Sequence, residues 1–465
     1  MPEYDVAVIG AGPAGYVCAI RAAQLGKRAV IVDRQWLGGV CLNVGCIPSK
    51  ALLKNAEVAH TLRERGKEFG FEIQGLKLDY AAAVQRSRQV SDRLVKGVAF
   101  LMKKNKIDVQ MGKATFTGPH AVRLQPDAGT PIELTAKDIV IATGARAAMI
   151  PGVEADGRRI LTYLEAILQE TLPASVVVIG GSAIGLEFAT VWSSYGAQVT
   201  IVEMLPRLAP LEDEDVGKEL AKAFAKRGLQ VRTGSRVEAI ETSKTKVKVK
   251  IRTASAEETL EADQALVAIG IKPNTENLGL EAAGVNLNAR GFIEVDERMA
   301  TNVPGVWSIG DVTGKLALAH VGSAMGVICA ENIAGVETVT LDYEMMPRAI
   351  YSQPQVASFG LTEAQARERG HQLKVGRFPF QANGKALGLG DYAGWVKLVT
   401  DAQYGEILGA HLVGPDVTEL LPELTLAQRM ELTSAEIARN VHAHPTLSEV
   451  LMEAAHDAEG HPIHT

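Results

Sequence analysis

Residues 4–33 read YDVAVIGAGPAGYVCAIRAAQLGKRAVIVD. A β-branched run, Val6, Val8 and Ile9, leads into Gly10-x-Gly12-x-x-Gly15. A helical pattern follows, breaks at Gly26, and yields to a second apolar strand ending at Asp33. A lone glycine fingerprint says little. Inside a strand–loop–helix–strand unit closed by an acid, it specifies a dinucleotide-binding fold. Gly10 permits the tight turn, Gly12 lets the backbone approach a pyrophosphate, and Gly15 lets helix and strand pack closely. Free N–H groups at the helix start face the phosphate oxygens. Asp33 is placed to accept hydrogen bonds from a ribose 2′-OH.

The unit recurs at residues 174–203, ASVVVIGGSAIGLEFATVWSSYGAQVTIVE, with Gly180, Gly185 and a terminal Glu203. The acid follows the first glycine by 23 residues in both copies. Ser182 stands where the middle glycine belongs. A carboxylate beside the ribose favours a free 2′-OH and repels a 2′-phosphate, so Glu203 predicts NAD over NADP. Arg207, four residues on, reads as a solvated loop arginine.

Each unit runs into a β-rich stretch that closes on an apolar strand and a glycine, Gly144 in the first and Gly270 in the second. The alternation in KVKVKIR predicts a half-exposed antiparallel strand. A third landmark, VWSIGDVTG, ends a buried-type strand at Gly310 and Asp311, where the acid is placed to reach a ribityl or phosphate group or else to serve a turn. The last third carries alternating strands and then helices without a glycine fingerprint. The predicted fold is α/β: two tandem Rossmann-like dinucleotide-binding domains and a C-terminal α+β domain.

With 465 residues the chain is too long for one core. The net charge is −6 and no basic block appears, so nucleic acid is not an expected partner. No apolar run approaches the roughly 18–20 residues of a membrane span, and no targeting pattern precedes the first strand. A cytoplasmic location is the expectation.

The chain has four cysteines. Cys18 and Cys329 lie in helical apolar stretches and read as buried thiols. Cys41 and Cys46 sit in GGVCLNVGCIPSKALL, residues 38–53. An ideal helix would hold their Cα atoms about 8.6 Å apart, whereas a disulfide needs roughly 4.4–6.8 Å. Gly38, Gly39 and Gly45 supply the freedom for a distorted turn, and Pro48 then fixes the chain before a helix. The stretch suits a constrained, reducible bond. Two buried free thiols are the other reading, and the spacing offers no metal site. A redox pair needs a base, and NVHAHPTLSE offers His442, His444 and Glu449. Thr446 reads as a helix start. Glu449 either closes a capping box with it or orients and charges His444.

Together these segments resemble the flavin-dependent pyridine nucleotide–disulfide oxidoreductase family, and within it the branch that oxidises dihydrolipoamide. The resemblance rests on GAGPAG, GGVCLNVGCIPSKALL, ATGA, GLEFA, SIGDVTG, GAHLVGP and HAHPTLSE, and spans essentially the whole chain. It implies an FAD-binding domain over 1–148, an NAD-binding domain over 149–272, a segment completing the FAD site over 273–342, and a dimerisation domain over 343–465. It implies a homodimer with shared active sites, in which His444 serves the cysteines of the other subunit. Dihydrolipoamide then attacks Cys41, Cys46 faces the flavin, and NAD is the final electron acceptor. Lys50, paired with Glu187, is implied on the flavin side. The implied partner is a lipoylated acyltransferase or a lipoyl carrier protein of a 2-oxo acid dehydrogenase or glycine cleavage complex. The alternatives are another disulfide reductase of this fold or a catalytically silent nucleotide-binding scaffold. Val40, Asp33, Ser182 and Gln355 depart from the family pattern, and none of them is a catalytic group.

Overall fold

A computed structural model describes residues 3–464. The chain divides into two compact units. The first holds residues up to Ala51, then Ala82–Ala148 and Gly270–Tyr343; the second holds Leu52–Ala81, Met149–Ile269 and Glu344 onward. No helix among the described residues is long and apolar enough to cross a membrane.

The first unit is built on strand β1 (Tyr4–Ile9), helix α1 (Pro13–Gln24) and strand β2 (Ala29–Asp33). β1 pairs in parallel with β2 on one side and with Ile132–Ile141 on the other, Val6 lying opposite Ala29 and Asp138. Asp108–Met111 extends the sheet beyond β2, and Val306–Ser308 extends it beyond Ile132–Ile141. Central parallel strands are covered on both faces, which is why β1 and β2 are continuous apolar runs. Ile9, Val30, Val32, Phe116 and Ile141 share one core with Leu280, Ile293 and Val306. At about 1.5–3 kcal/mol per fully buried aliphatic side chain, that shared core holds the distant 270–343 segment on the first unit.

In the second unit Ser175–Ile179 pairs in parallel with Gln198–Val202 and Gln264–Val267, repeating the first arrangement. Arg236–Thr242, Val247–Arg252 and Glu257–Ala262 form an antiparallel sheet. Burial alternates residue by residue along Val247–Arg252, as KVKVKIR predicts. The C-terminal part is a five-stranded antiparallel sheet whose central strands are Ile407–Gly414 and Trp395–Asp401. Its core joins Phe359, Phe378 and Leu412 from the strands, and Phe380 from the turn after one of them, to Leu421, Leu424 and Leu451 from the helices.

Candidate functional site

The two glycine loops are built by the same contacts. A Cβ added at Gly10 would lie 2.1 Å from the Ala142 carbonyl oxygen, and at Gly180 2.3 Å from that of Ala268. Both also have positive φ, +111° and +115°, so only glycine fits. A Cβ at Gly15 would lie 1.9 Å from the Gly10 oxygen, and at Gly185 1.9 Å from the Gly180 oxygen. Helix and strand therefore touch through bare backbone. Gly12 caps α1, and a Cβ there would meet nothing nearer than the Gly39 Cα at 3.9 Å. Space stays open before the first-turn N–H groups, which have no intrahelical acceptors. This cradle fits a dinucleotide phosphate.

The terminal acids brace these loops. Asp33 accepts from the Ala11 N–H at 2.7 Å and, on its other oxygen, from Gln35 and Trp36. Glu203 accepts from the Gly181 N–H at 2.7 Å and from Leu205 at 2.8 Å. The Asp33 oxygen facing Ala11 and both Glu203 oxygens retain a lone pair for a ribose hydroxyl. Arg207 is not the solvated arginine the sequence suggests. It is half-buried and donates to the Pro210 carbonyl at 3.2 Å. Its stem lies over Gly217, whose added Cβ would come 3.1 Å from the Arg207 Cβ.

Helix α2 (Gly39–Val44) carries Cys41, and helix α3 (Cys46–Glu64) begins at its partner. Cys41 and Cys46 are disulfide-bonded with Cα atoms 4.7 Å apart. The chain achieves this by leaving the helix at Gly45, where a Cβ would crowd the Val40 oxygen at 3.0 Å and the Cys41 Cα at 3.2 Å. α3 starts three residues earlier than the sequence reading placed it. Pro48 lies within its first turn, where the missing N–H has no acceptor to lose. Asn43 donates to the Leu37 and Gly39 carbonyls, and Arg88 donates to the Asn43 carbonyl. Gly39 lies so close to Gly12 that its added Cβ would sit 2.5 Å from the Gly12 Cα. The disulfide turn thus starts against the first glycine loop.

Asp311 is the second residue of a short 3-10 turn, Gly310–Thr313, that follows Val306–Ser308. The preceding Gly310 abuts Ala14 at the start of α1, its added Cβ falling 3.0 Å from the Ala14 Cβ. Burial pushes the Asp311 carboxyl up to about 6. Gly144 and Gly270 flank a two-stranded link between Ala145–Ala147 and Ile271–Pro273. The Gly144 carbonyl accepts from Asn274, and the Gly270 carbonyl from Ala148. Lys50 lies half-buried on α3. Glu187 is buried at 7% exposure and accepts from the Tyr351 N–H at 3.1 Å. Cys18 and Cys329 are buried free thiols, as expected.

In the second unit, the His444 Nδ1 bonds Glu449 Oε1 at 2.9 Å, while Glu449 Oε2 accepts from the Thr446 N–H at 2.7 Å. Glu449 thus bonds His444 with one oxygen and the Thr446 backbone with the other, but the capping box is not formed: the helix is capped at Ser448, and among the described residues the Thr446 hydroxyl accepts from no backbone N–H of the helix start. The helix begins at Glu449, not Thr446, because the Thr446 hydroxyl turns back to the Ala443 carbonyl. A carboxylate only accepts, so in the neutral ring the proton sits on Nδ1 and the Nε2 lone pair is left free, on a side chain 79% exposed. Burial pushes the Glu449 carboxyl up, but the Thr446 N–H and the His444 ring outweigh it and hold it below the usual range. Sequence reading missed the support behind this loop. His442 bonds Glu423 at 3.0 Å, and Asn440 donates to the same carboxylate. It also missed the glycines of helix Ala319–Ala334. A Cβ at Gly326 would lie 2.5 Å from the Ala14 oxygen. The i, i+4 spacing of Gly322 and Gly326 was the available signal.

Residues 4–326 match the pyridine nucleotide-disulphide oxidoreductase family, and residues 346–455 match its dimerisation domain. The chain is 51% identical over 467 residues to a dihydrolipoyl dehydrogenase of Mycobacterium leprae, covering 100% of both chains. It is 48% identical over 466 residues to one of Corynebacterium glutamicum, covering 99% of both. Among solved structures it is similar to LpdA of Mycobacterium tuberculosis, with a TM-score of 0.90 and 26% identity over 97% of this chain and 99% of that one. It is also similar to the Cu(II) complex of the HOCl-induced flavoprotein disulfide reductase RclA of Escherichia coli. There the TM-score is 0.87 and the identity 28%, over 98% of this chain and 99% of that one. With a family match over more than half its length and relatives this similar along both chains, the protein belongs to the pyridine nucleotide-disulphide oxidoreductases, enzymes that use FAD and NAD and pair through the C-terminal domain.

Proposed function

We propose that the protein oxidises dihydrolipoamide, passing two electrons through the Cys41–Cys46 bond to FAD and on to NAD. The observation that carries this reading is the disulfide itself, held across Gly45 and against the Gly12 loop. Gly10, Gly12, Gly15, Asp33, Lys50, Gly144 and Asp311 would hold FAD; Gly180, Gly185, Glu203 and Gly270 would hold NAD. When bound, FAD supplies the two-electron acceptor that restores the disulfide, and NAD supplies the final hydride acceptor. Glu187 pairs with Lys50 in this reading.

His444 of the partner subunit takes a proton from one substrate thiol at Nε2, and the partner subunit's Glu449 steadies the imidazolium. The substrate thiolate attacks the Cys41 sulfur, the Cys41–Cys46 bond breaks, and Cys46 leaves as a thiolate. The second substrate thiol loses its proton to solvent and attacks the substrate sulfur of the mixed disulfide. Cys41 leaves and takes the proton from the imidazolium. The substrate ends as a cyclic disulfide, and its two electrons rest on the cysteine pair. Domains of 1–148, 149–272, 273–342 and 343–465 divide this work. The reading extends to a lipoylated acyltransferase or carrier protein as partner, in the cytoplasm.

The test is dihydrolipoamide oxidation with NAD, with reduction of glutathione disulfide and mercuric ion as competing activities. Cys41→Ser is expected to abolish turnover while the purified protein stays yellow with flavin. Retained turnover, or preference for a competing substrate, would overturn the proposal.

A further inference from the structure

The second unit holds a cavity of about 690 Å3 whose lining includes no residue of the disulfide turn or of either glycine loop. That volume is within the range of about 300–1,000 Å3 typical of small-ligand sites. Its walls are the C-terminal half of α3, the C-terminal ends of helices Ala183–Tyr195 and Glu214–Lys226, and residues 390–394. The groups that matter are His60, Arg63, Arg65, Arg227 and Asp391.

Two of the three arginines are committed. Arg65 forks onto Glu68 at 2.7 and 2.8 Å and donates to the Gly390 carbonyl. Arg63 donates to the Ser193 and Ser194 carbonyls and lies 3.4 Å from Glu64. Arg227 differs. Its partners, the Gln353 side-chain oxygen and the Ser194 hydroxyl, are both neutral. Among the described residues no carboxylate lies within ion-pair distance of it. A guanidinium has five donors, so several remain for an occupant.

Asp391 is its mirror image. It is half-buried, and its carboxylate has no hydrogen bond or ion pair among the described residues. Burial, with Asp416 and Glu57 adding to it, outweighs the pull of Arg65 and Arg227 and leaves the carboxyl above its ordinary value. The His60 ring is likewise without a hydrogen-bond partner among the described residues. Burial, then Arg227, Arg65 and Arg63, pulls it down to about 4, which leaves it neutral. Charges withdrawn from water are ordinarily paired. Here a guanidinium and a carboxylate share one cavity without touching.

We propose that this cavity binds a small zwitterion of the amino-acid or short-peptide class, its carboxylate on Arg227 and its ammonium on Asp391. An anion alone would face the Asp391 carboxylate, and a cation alone would face the Arg227 guanidinium. A molecule carrying both charges satisfies each with a charge-assisted hydrogen bond. His60 offers its neutral ring to the polar atoms between. Lys226 and Glu64 at the margin are exposed and screened.

The test uses the flavin-loaded dimer, titrated calorimetrically and by thermal shift with glycine, 4-aminobutyrate and triglycine, whose charge separations increase. Acetate, inorganic phosphate and methylammonium are the half-molecule controls. At least one zwitterion is expected to saturate and raise the melting temperature, and the controls are not. Arg227→Gln and Asp391→Asn should each weaken that binding by about tenfold or more. Dihydrolipoamide turnover without the zwitterion should stay unchanged in both. If Arg227→Gln fails to fold, Asp391→Asn alone carries the test, since it removes a charge that has no partner to lose. Saturation by acetate, phosphate or methylammonium as tight as by the zwitterions would overturn the proposal. So would no saturation up to about 50 mM, or binding indifferent to both substitutions.

Discussion

At Gly10 and Gly180, and again at Gly15 and Gly185, an added Cβ would strike the same kind of backbone oxygen at nearly the same distance. Asp33 and Glu203 accept from equivalent backbone N–H groups, Ala11 and Gly181, each at 2.7 Å. Gly12 and Ser182 are where the loops part. Both cap the helix in extended backbone, and Ser182 is exposed. The positions held by chain against chain are thus duplicated, and the one facing open space differs. The surroundings differ too. α1 is packed by helix Ala319–Ala334 through Gly322 and Gly326. The second loop accepts on its Gly181 carbonyl from the Ala209 N–H at 2.8 Å, and the same segment runs on to Glu212 and Asp213, which bond the antiparallel sheet. There Lys397, 3% exposed, holds Asp213 at 2.9 Å, Asp215 at 2.8 Å and Glu363 at 3.1 Å. Glu212 bonds Ser358 and lies 3.3 Å from Arg348.

The largest effects should come from Lys397→Met. Removing one member of a buried charge cluster costs about 3–5 kcal/mol, read by urea unfolding. A change under about 1 kcal/mol would mean the second loop does not lean on the sheet. The cluster also carries a pH signature. Burial pushes Asp213 up, but Lys397 outweighs it and the carboxyl ends below its ordinary value. Its stabilisation is full above the unfolded aspartate value and is lost as pH falls through the lower folded one. For Lys397, burial pulls down, but three carboxylates raise it. That contribution is full below the unfolded lysine value and is lost as pH rises through the higher folded one. Lys397→Met should flatten both limbs of the stability–pH curve.

Gly15→Ala and Gly185→Ala come next, each about 3 kcal/mol by overpacking. The first is expected to lose flavin, the second to keep its yellow colour and lose response to NAD. Identical losses in both would deny that the loops serve different nucleotides. Glu203→Gln removes one of two acceptors and the charge, about 1.5–3 kcal/mol of loop bracing. The preference for NADH over NADPH should shrink by about tenfold or more, and an unchanged ratio would refute the specificity role. Ser182→Gly should be smallest. Exchanging a serine cap for glycine costs only a few tenths of a kcal/mol, and the KM for NAD is expected to shift less than about threefold. A larger shift would make Ser182 a ligand contact rather than a tolerated spacer.

Much of this was legible in residue order. The glycine spacing and the terminal acids marked both loops, and alternation marked Val247–Arg252. The cysteine pair among glycines marked a bond that an unbroken helix forbids. Helix starts were less legible. At Cys46 and Glu449 the start depends on where a side chain finds its partner, as Thr446 does at Ala443. Arg207 looked solvated because nothing nearby in sequence announces Gly217 beneath it. Lys397 gave no sign at all, since its partners lie 184 and 34 residues away.

Residue order alone settled whatever depends on one residue's own backbone or on fixed intervals along the chain: where the turns fall, which faces are apolar, and which acid closes each unit. Those properties are local, because φ preference and strand or helix period need no distant neighbour. Folding settled the rest: which carbonyl forbids a Cβ at Gly10, that Glu449 serves His444 and Thr446 together, and that Arg227 and Asp391 share a cavity unpaired. Such facts arise from burial and hydrogen bonding between segments far apart in the chain, and their strength comes from the water those contacts exclude.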